Sequence, residues 1–322
     1  MSQAERPISA DELLHLYRQL LLIRLAEERL SALFADGAVP GFIHLSIGQE
    51  AVPVGVISNL GPADTVASTH RGHGHALAKG LSLDGFFAEL LGMDAGLCRG
   101  RGGSMHVADF SLGMLGANGI VAAGMSIALG SALAHKVLGR DAVAVVFFGD
   151  GALAEGLLHE CLNMAKLMGL PMLFVCENNG WSEFSPTDSQ IAFSLESLAA
   201  GHGVRYQHVD GNNVVAVAES ARLAVDDVRR GRGPIVLECK TIRVRGHFEG
   251  DPQKYRTTSD SELEAHDPLR IAAEQLRALG IEDEQLSVSR AEIQTRIDAA
   301  VRKAREGEPA DFATALNDVY AA

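Results

Sequence analysis

At 322 residues, with 47% of them hydrophobic and 21% charged, the chain has the make-up of a soluble globular protein with ample material for a core. A formal net charge of -13 argues against a nucleic-acid binder, which needs a basic field; acidic residues dilute the short clusters Arg229, Arg230, Arg232 and Arg243, Arg245. No apolar run approaches the ~20 residues of a spanning helix, so no membrane partner is expected.

The residues Ser2, Gln3, Glu5 and Arg6 are polar where a signal peptide would be apolar. Cys98, Cys161, Cys176 and Cys239 form no C-x-x-C pair, so neither a zinc ribbon nor a redox motif is indicated. Scattered thiols suit a reducing compartment. A cytoplasmic protein is expected.

In chain order, Ser9-Ala10-Asp11-Glu12 is a capping box, with Ile8 and Leu13 at the staple positions. It predicts a helix to about residue 34, ending near Gly37. The polar stretch 44–50 precedes a second helix, about 51–60. Residues 95–121 are dense in glycine and arginine, and little regular structure is expected there. The run 122–138 reads as a helix of small residues, packed on both sides. The continuous apolar run 142–148 predicts a strand buried on both faces. Gly149-Asp150-Gly151 breaks it, and a helix over about 153–168 follows. A second buried strand, 172–176, ends at Glu177-Asn178-Asn179-Gly180. A further strand is expected at 234–244, then a loop over 246–256, then polar helices from about 268.

This pattern predicts an α/β fold, a mostly parallel sheet flanked by helices, with helical decorations at both ends. One domain over 1–322 accounts for it: helical entry 1–60, ligand-binding core 61–256, helical region 257–322.

Open α/β sheets bind ligands outside the carboxyl ends of their strands. Asp150 stands at one such end and Asn178-Asn179 at another. A carboxylate, an amide oxygen and a nearby main-chain carbonyl are hard donors suited to Mg²⁺, which completes its shell with phosphate oxygens and water. Gly149 and Gly151 let a diphosphate approach the backbone, and the following helix offers N–H groups to the anion. An isolated Gly-Asp-Gly, or Asn-Asn-Gly, is usually only a turn. Their pairing carries more weight: twenty-six residues separate Gly151 from Asn178, the length of one helical crossover plus a strand.

Gly149-Asp150-Gly151 followed at this spacing by Asn178-Asn179 resembles the thiamine diphosphate motif. From about residue 20 to 256 the chain is similar to the alpha subunits of the 2-oxo acid and acetoin dehydrogenase complexes. The similarity is carried by Gly41-Phe42-Ile43-His44-Leu45 leading into Gly48-Gln49-Glu50-Ala51, then His70-Arg71-Gly72-His73-Gly74, Gly102-Gly103-Ser104-Met105-His106, and Gly119-Ile120-Val121. It implies the thiamine diphosphate-binding fold. It also implies that Asp150, Asn179 and the Trp181 carbonyl hold Mg²⁺, while Gly149, Gly151 and Ala152 lie against the diphosphate. His70 stands beside Arg71, which pairs with a phosphate oxygen. Gly119 and Val121 hold the aminopyrimidine through main-chain atoms. His73 and His247 face the thiazolium and substrate as catalytic groups. His70 and Trp181 stand where the family often has tyrosines, and Glu183 where it often has an apolar residue. Phe248 replaces the serine of mitochondrial pyruvate dehydrogenase, so no phosphorylation control is expected there.

His70, His73 and His75 lie within six residues, but closely spaced glycines argue against fixed metal-ligand geometry. His75, His106, His135, His159 and His202 are read as structural. The resemblance implies that the cofactor supplies the carbon–carbon cleavage, that imidazoles move protons near neutral pH, and that a lipoyl-bearing acyltransferase accepts the acyl group. A beta subunit supplies the missing glutamate in an α2β2 heterotetramer. The stretches 246–253 and 182–184 look most like acetoin dehydrogenase; pyruvate or branched 2-oxo acids are the alternative substrates. A transketolase-like half and a non-catalytic scaffold are the competing readings. A nicotinamide enzyme is disfavoured because no G-x-G-x-x-G opens a helix after a strand.

Overall fold

The computed structural model describes residues 8–319; the polar stretch from Ser2 to Arg6 lies outside the described residues. The capping box at Ser9 is formed. Its hydroxyl accepts from Glu12 N at 3.2 Å, and Glu12 Oε2 accepts from Ser9 N at 2.9 Å. Helix α1 (Ala10–Ala35) starts there, with Leu13 fully buried and Ile8 packed on the same core.

After it come α2 (Ala51–Ile57), β1 (Thr65–Ala67), α3 (His73–Ala78), α4 (Leu83–Leu90), β2 (Met114–Gly116), α5 (Ala123–Val137), β3 (Ala144–Gly149), α6 (Gly156–Met168) and β4 (Met172–Asn178). The hairpin strands β5 (Trp181–Ser182) and β6 (Ser185–Pro186) follow, then α7 (Leu195–Gly201), β7 (Arg205–Asp210), α8 (Val214–Asp227) and β8 (Ile235–Lys240). Helices α9 (Asp260–Ala265), α10 (Pro268–Ala278) and α11 (Asp283–Arg305) come last.

One six-stranded sheet runs in the order β2-β1-β3-β4-β8-β7, and every pairing in it is parallel. The apolar run of β3 explains why both faces are covered. Val145 and Phe147 enter one core; Ala144, Val146 and Phe148 enter the other, with the period of two that a strand imposes. The first core is closed by α1, α2, α8, α10 and α11, the second by α5, α6 and α7. Each fully buried Val or Phe contributes roughly 1.5–3 kcal/mol. Helices from both ends of the chain thus share one core with the sheet.

Several boundaries differ from the sequence reading, for physical reasons. A 3-10 turn, Asp150–Ala154, precedes α6, so the helix begins at Gly156 rather than near 153. The strand expected over 234–244 ends at Lys240, and the chain beyond lends Arg243 and His247 to the pocket lining. The stretch 95–121 contains the edge strand β2, and its glycine turns are organised by Glu89. That buried carboxylate accepts from the backbone N–H groups of Cys98 (2.7 Å), Gly100 (2.8 Å), Gly102 (2.8 Å) and Gly103 (3.0 Å). Helix α5 packs on one side only within this chain. Its outer face leaves Ile127 43% and Val137 74% exposed.

Among the described residues no helix is long and apolar enough to cross a membrane. All four cysteines are free, and three of them are buried.

Candidate functional site

The parallel register sets Gly149 of β3 beside Glu177 of β4, so the two strand ends open side by side. A cavity of roughly 290 Å³ lies there. Eleven of the twelve expected residues line it: His70, Arg71, Gly119, Val121, Gly149, Asp150, Gly151, Ala152, Asn179, Trp181 and His247. The exception is His73. It is wholly buried at the start of α3, with Nδ1 3.0 Å from Glu27 Oε2 and Nε2 2.8 Å from Ser104 Oγ. Both ring nitrogens are taken, and the ring does not reach the cavity. Of the two histidines expected to be catalytic, His247 lines the cavity and His73 does not. What the Arg71-Gly72-His73 stretch brings to the cavity is Arg71, while His73 anchors the turn.

Asp150 is 1% exposed. Its Oδ1 accepts from Asn179 N at 3.3 Å, and its Oδ2 accepts from the Thr187 hydroxyl. Burial pushes its pKa up to about 6 despite these hydrogen bonds. A carboxylate buried this way is stabilised in its charged form by a cation. Asn179 turns its Nδ2 to Gln49 Oε1 at 2.8 Å, which leaves Oδ1 on the side of Trp181 N (3.1 Å). Asn178 points elsewhere and donates to Glu238. Thus Asp150, Asn179 and Trp181 are brought together as expected, and only the second asparagine takes part.

The glycines divide their work. A Cβ on Gly149 would meet nothing within 4 Å, so that side of the backbone is open. A Cβ on Gly151 would fall 2.7 Å from Ser182 Oγ, so Gly151 is required by the β5 turn packed on it. The N–H groups beyond Asp150 belong to the 3-10 turn. Like those of any helical start they lack an intrahelical acceptor.

Two guanidiniums face this end of the cavity. Arg71 is 6% exposed and donates to the carbonyls of Leu45 (2.6 Å) and His247 (3.0 Å). Arg243 is 1% exposed and donates to the Glu183 carbonyl (3.1 Å) and Tyr255 hydroxyl (3.0 Å), while its Nε is buried without a partner. Among the described residues neither pairs with a carboxylate. Burial and then the charge of Arg243 push Arg71 down to about 9, and burial lowers Arg243 as well. Two buried cations that repel each other call for an anion. Beside them a buried carboxylate calls for a cation. A metal bound to a diphosphate fits both demands.

The wall next to these guanidiniums is built of imidazoles. His44, His70 and His247 stand with ring centroids 4.8–5.3 Å apart. Burial, followed by the field of Arg71, pushes His44 down to about 3 and His247 down to about 4; His70 is lowered by the same causes. The loop carrying His247 is ordered by Asp251, which accepts from His247 N (2.7 Å), Gln253 N (2.9 Å) and the Tyr255 hydroxyl (2.6 Å). The remaining histidines read as structural behave so in two clear cases. His75 Nδ1 meets Ser68 Oγ at 2.7 Å beneath the sheet end, and His135 Nε2 lies 3.2 Å from Thr65 Oγ1.

Sequence reasoning assigned no role to Gln49, Arg243 and His44. Gln49 and His44 lie inside the quoted motifs, and Arg243 inside a noted basic cluster. Only the fold shows that all three turn inward.

A doubly covered parallel sheet, with an anion seat and an oxygen-donor set at its strand ends, defines a cofactor-dependent α/β enzyme. The family model described as "Dehydrogenase E1 component" matches residues 18–312, and the chain belongs to that family, as an alpha subunit of a thiamine-diphosphate-dependent oxidoreductase. Among its relatives is the alpha subunit of acetoin:2,6-dichlorophenolindophenol oxidoreductase from Cupriavidus necator, 41% identical over 98% of this chain and 96% of that one. The Bacillus subtilis protein of the same description is 46% identical over 82% of this chain and 80% of its own length. The alpha subunit of the pyruvate dehydrogenase E1 component from Zymomonas mobilis is 40% identical, covering 94% and 84%.

Proposed function

We propose that this chain, joined to a separate beta subunit in an α2β2 heterotetramer, cleaves acetoin and passes the acyl group to a lipoyl-bearing acyltransferase. The observation that carries the cofactor part is the juxtaposition of buried, raised Asp150 with the unpaired guanidiniums of Arg71 and Arg243. Asp150, Asn179 and the Trp181 carbonyl would hold Mg²⁺. Arg71, Arg243 and the open backbone at Gly149 to Ala152 would hold the diphosphate. Gly119 and Val121, on the cavity rim, would meet the aminopyrimidine with main-chain atoms.

When bound, thiamine diphosphate would supply the electron sink for breaking the bond between the carbonyl carbon and its hydroxyl-bearing neighbour. The protein's own part is placement and proton transfer. His247, in a half-buried loop, is a neutral imidazole that can take or return a proton. His70 and His44 back it at ring-contact distance.

Charge supports acetoin over a 2-oxo acid. With Arg71 and Arg243 committed to the diphosphate and Asp150 to the metal, the remaining acidic or basic side chains lining this chain's side of the cavity, histidines apart, are Glu155, Glu177 and Glu183. They favour a neutral hydroxyketone over a carboxylate. The relatives from Bacillus subtilis and Cupriavidus necator point the same way, and the Zymomonas mobilis relative keeps pyruvate as the second reading.

The exposed apolar face of α5 and α6 supports a partner chain. It shows Ile127, Val137, Leu138, Met164 and Leu167, the last 80% exposed, and apolar patches of this kind mark interfaces. Unpaired thiols fit a cytoplasmic setting.

The test is the complex co-expressed with its beta subunit and given Mg²⁺, thiamine diphosphate and dichlorophenolindophenol. Acetoin, pyruvate and a branched 2-oxo acid are compared by kcat/KM. Acetoin leading by ~10-fold or more, about 1.4 kcal/mol, is the expected result. A 2-oxo acid leading would replace the substrate and keep the cofactor site.

A further inference from the structure

We propose that His44, His70 and His247 form a binding site for a borderline-soft dication of the Zn²⁺ class, distinct from the oxygen-donor set at Asp150. One ring nitrogen from each lies within 4.8 Å of the others. A tetrahedral ion with Zn–N bonds of ~2.0–2.1 Å holds its nitrogens roughly 3.3 Å apart. The rings would therefore close by about 1.5 Å at most. His247 can supply that movement, because it sits in a loop and is only half-buried.

A second observation points to a ligand. His44 is 8% exposed, and its Nδ1 is buried without any hydrogen-bond partner. Buried polar atoms without partners are few in folded proteins, and each needs an explanation. Nor is this wall made of hard donors. Three imidazoles without a carboxylate select Zn²⁺, Cu²⁺ or Co²⁺ over Mg²⁺ or Ca²⁺. Burial keeps the three rings neutral, which is the ligating form.

The opposing charges are Arg71, whose Nη2 donates to the His247 carbonyl, and Arg243, whose Nη1 lies 3.3 Å from His247 Nδ1. Their field makes the site weaker than a structural zinc centre. An anion that neutralises them strengthens it, so the cofactor-loaded complex binds the ion more tightly than the empty one. Occupancy ties the His247 loop to the wall and withdraws three imidazoles from proton transfer. The ion is then a reversible inhibitor. This inference does not rest on the choice of acetoin as substrate.

The experiment uses the α–β complex with saturating Mg²⁺, empty and loaded with thiamine diphosphate, titrated with Co²⁺ and read by visible absorption. An intense four-coordinate band, one equivalent per alpha chain and displaced by Zn²⁺, is expected. His70→Gln and, separately, His247→Gln should weaken Co²⁺ binding by ~10-fold or more. Asp150→Asn should leave the band. Only weak six-coordinate bands, or a band lost in Asp150→Asn and kept in both histidine variants, would overturn the proposal. Should both histidine variants fail to assemble, anomalous scattering from a Zn²⁺-soaked wild-type crystal decides. A peak among the three rings supports the site, and no peak there sinks it.

Discussion

Gln49 accepts a 2.8 Å hydrogen bond from the Asn179 amide and thereby fixes which way that amide faces. The nitrogen is turned to Gln49, so the oxygen is left on the side of Trp181 N, while the Asn179 backbone N–H meets Asp150. Gln49 is itself 1% exposed and has little room to turn. Gln49→Leu removes the acceptor and frees the amide to flip. Loss of such a supporting contact lowers metal affinity by ~10–100-fold. Thiamine diphosphate binding, followed by tryptophan fluorescence at several Mg²⁺ concentrations, should show the loss recovered at high Mg²⁺. A loss that Mg²⁺ cannot recover would mean that Gln49 acts on the cofactor in another way.

Asp150 carries an opposite sign in stability and in binding. Its folded pKa, about 6, lies above the ordinary 3.8, chiefly through burial. The folded chain therefore binds this proton more readily than the unfolded one. That contribution is full below pH 3.8 and is lost as pH rises through 6. At pH 8 the empty protein carries a buried charge. Asp150→Asn should then bind Mg²⁺ and cofactor at least ~100-fold more weakly, yet melt no lower than wild type in the absence of ligand. The melting difference between variant and wild type should shrink between pH 8 and pH 5. A variant that melts several degrees lower at pH 8 would show that Asp150 stabilises the empty fold.

The imidazole wall gives the reverse dependence. His247 is pushed down to about 4 by burial and then by Arg71 and Arg243. The unfolded chain takes up a proton near pH 6.5 that the folded chain refuses. Stability from this group is present above pH 6.5 and is lost as pH falls toward 4. The ring is half-exposed, so after discounting for solvent the effect is on the order of 1 kcal/mol. His247→Gln should lose that much less stability than wild type between pH 7 and 4.5. In the wild type, pyrophosphate with Mg²⁺ should raise the His247 titration seen by NMR, because it neutralises the two arginines. An unchanged titration would separate His247 from the anion site.

How much of this was legible in the sequence varied with the physics involved. The β3–α6–β4 unit was readable because burial on both faces demands a continuous apolar run, and 142–148 supplies one. The pairing of Asp150 with Asn179 followed from the length of one crossover. Strands β1 and β2 were not readable, since three residues carry no periodicity. Strand β7 was hidden because it is mostly polar and none of its residues is buried, so it carries neither an apolar run nor a strict alternation. That the His73 ring turns away from the cavity was not readable, because a motif preserves spacing and residue type, whereas the side into which a ring turns is set by its partners. Here those partners are Glu27 and Ser104, distant in sequence and without a local signal. The outer face of α5 looked like a doubly packed helix because small residues read the same way whether the second neighbour belongs to this chain or to another.

That face yields a prediction. Ile127→Asp on α5 and Leu167→Asp on α6 alter exposed side chains, 43% and 80% accessible, so each should cost the isolated fold within about 0.5 kcal/mol. Each places a charge where a partner would bury apolar surface. Co-purification with the beta subunit and light scattering should show the heterotetramer lost or strongly weakened, with circular dichroism unchanged. Normal assembly of both variants would move the interface to another face.

The last prediction separates anchoring from catalysis at His73. Its ring joins Glu27 Oε2 at 3.0 Å to Ser104 Oγ at 2.8 Å, and Glu27 also accepts from Ser46 N and Oγ. Burial pushes the Glu27 pKa up, but the His73 charge and these hydrogen bonds bring it below its ordinary value. Removing the ring leaves a charged carboxylate in the core without its main partner, and breaking such a buried pair costs about 3–5 kcal/mol. His73→Leu should therefore lower the melting temperature steeply. His73→Gln, which retains a donor for Glu27, should recover part of it. If the ring only anchors the turn, kcat of His73→Gln measured well below its melting point should stay within ~10-fold of wild type. A proton-transfer role predicts the reverse pattern, a loss of ~100-fold or more in kcat with little change in melting. Ser104 and Glu27 bracket the outcome, because neither lines the cavity, and Ser104→Ala should follow the stability pattern alone.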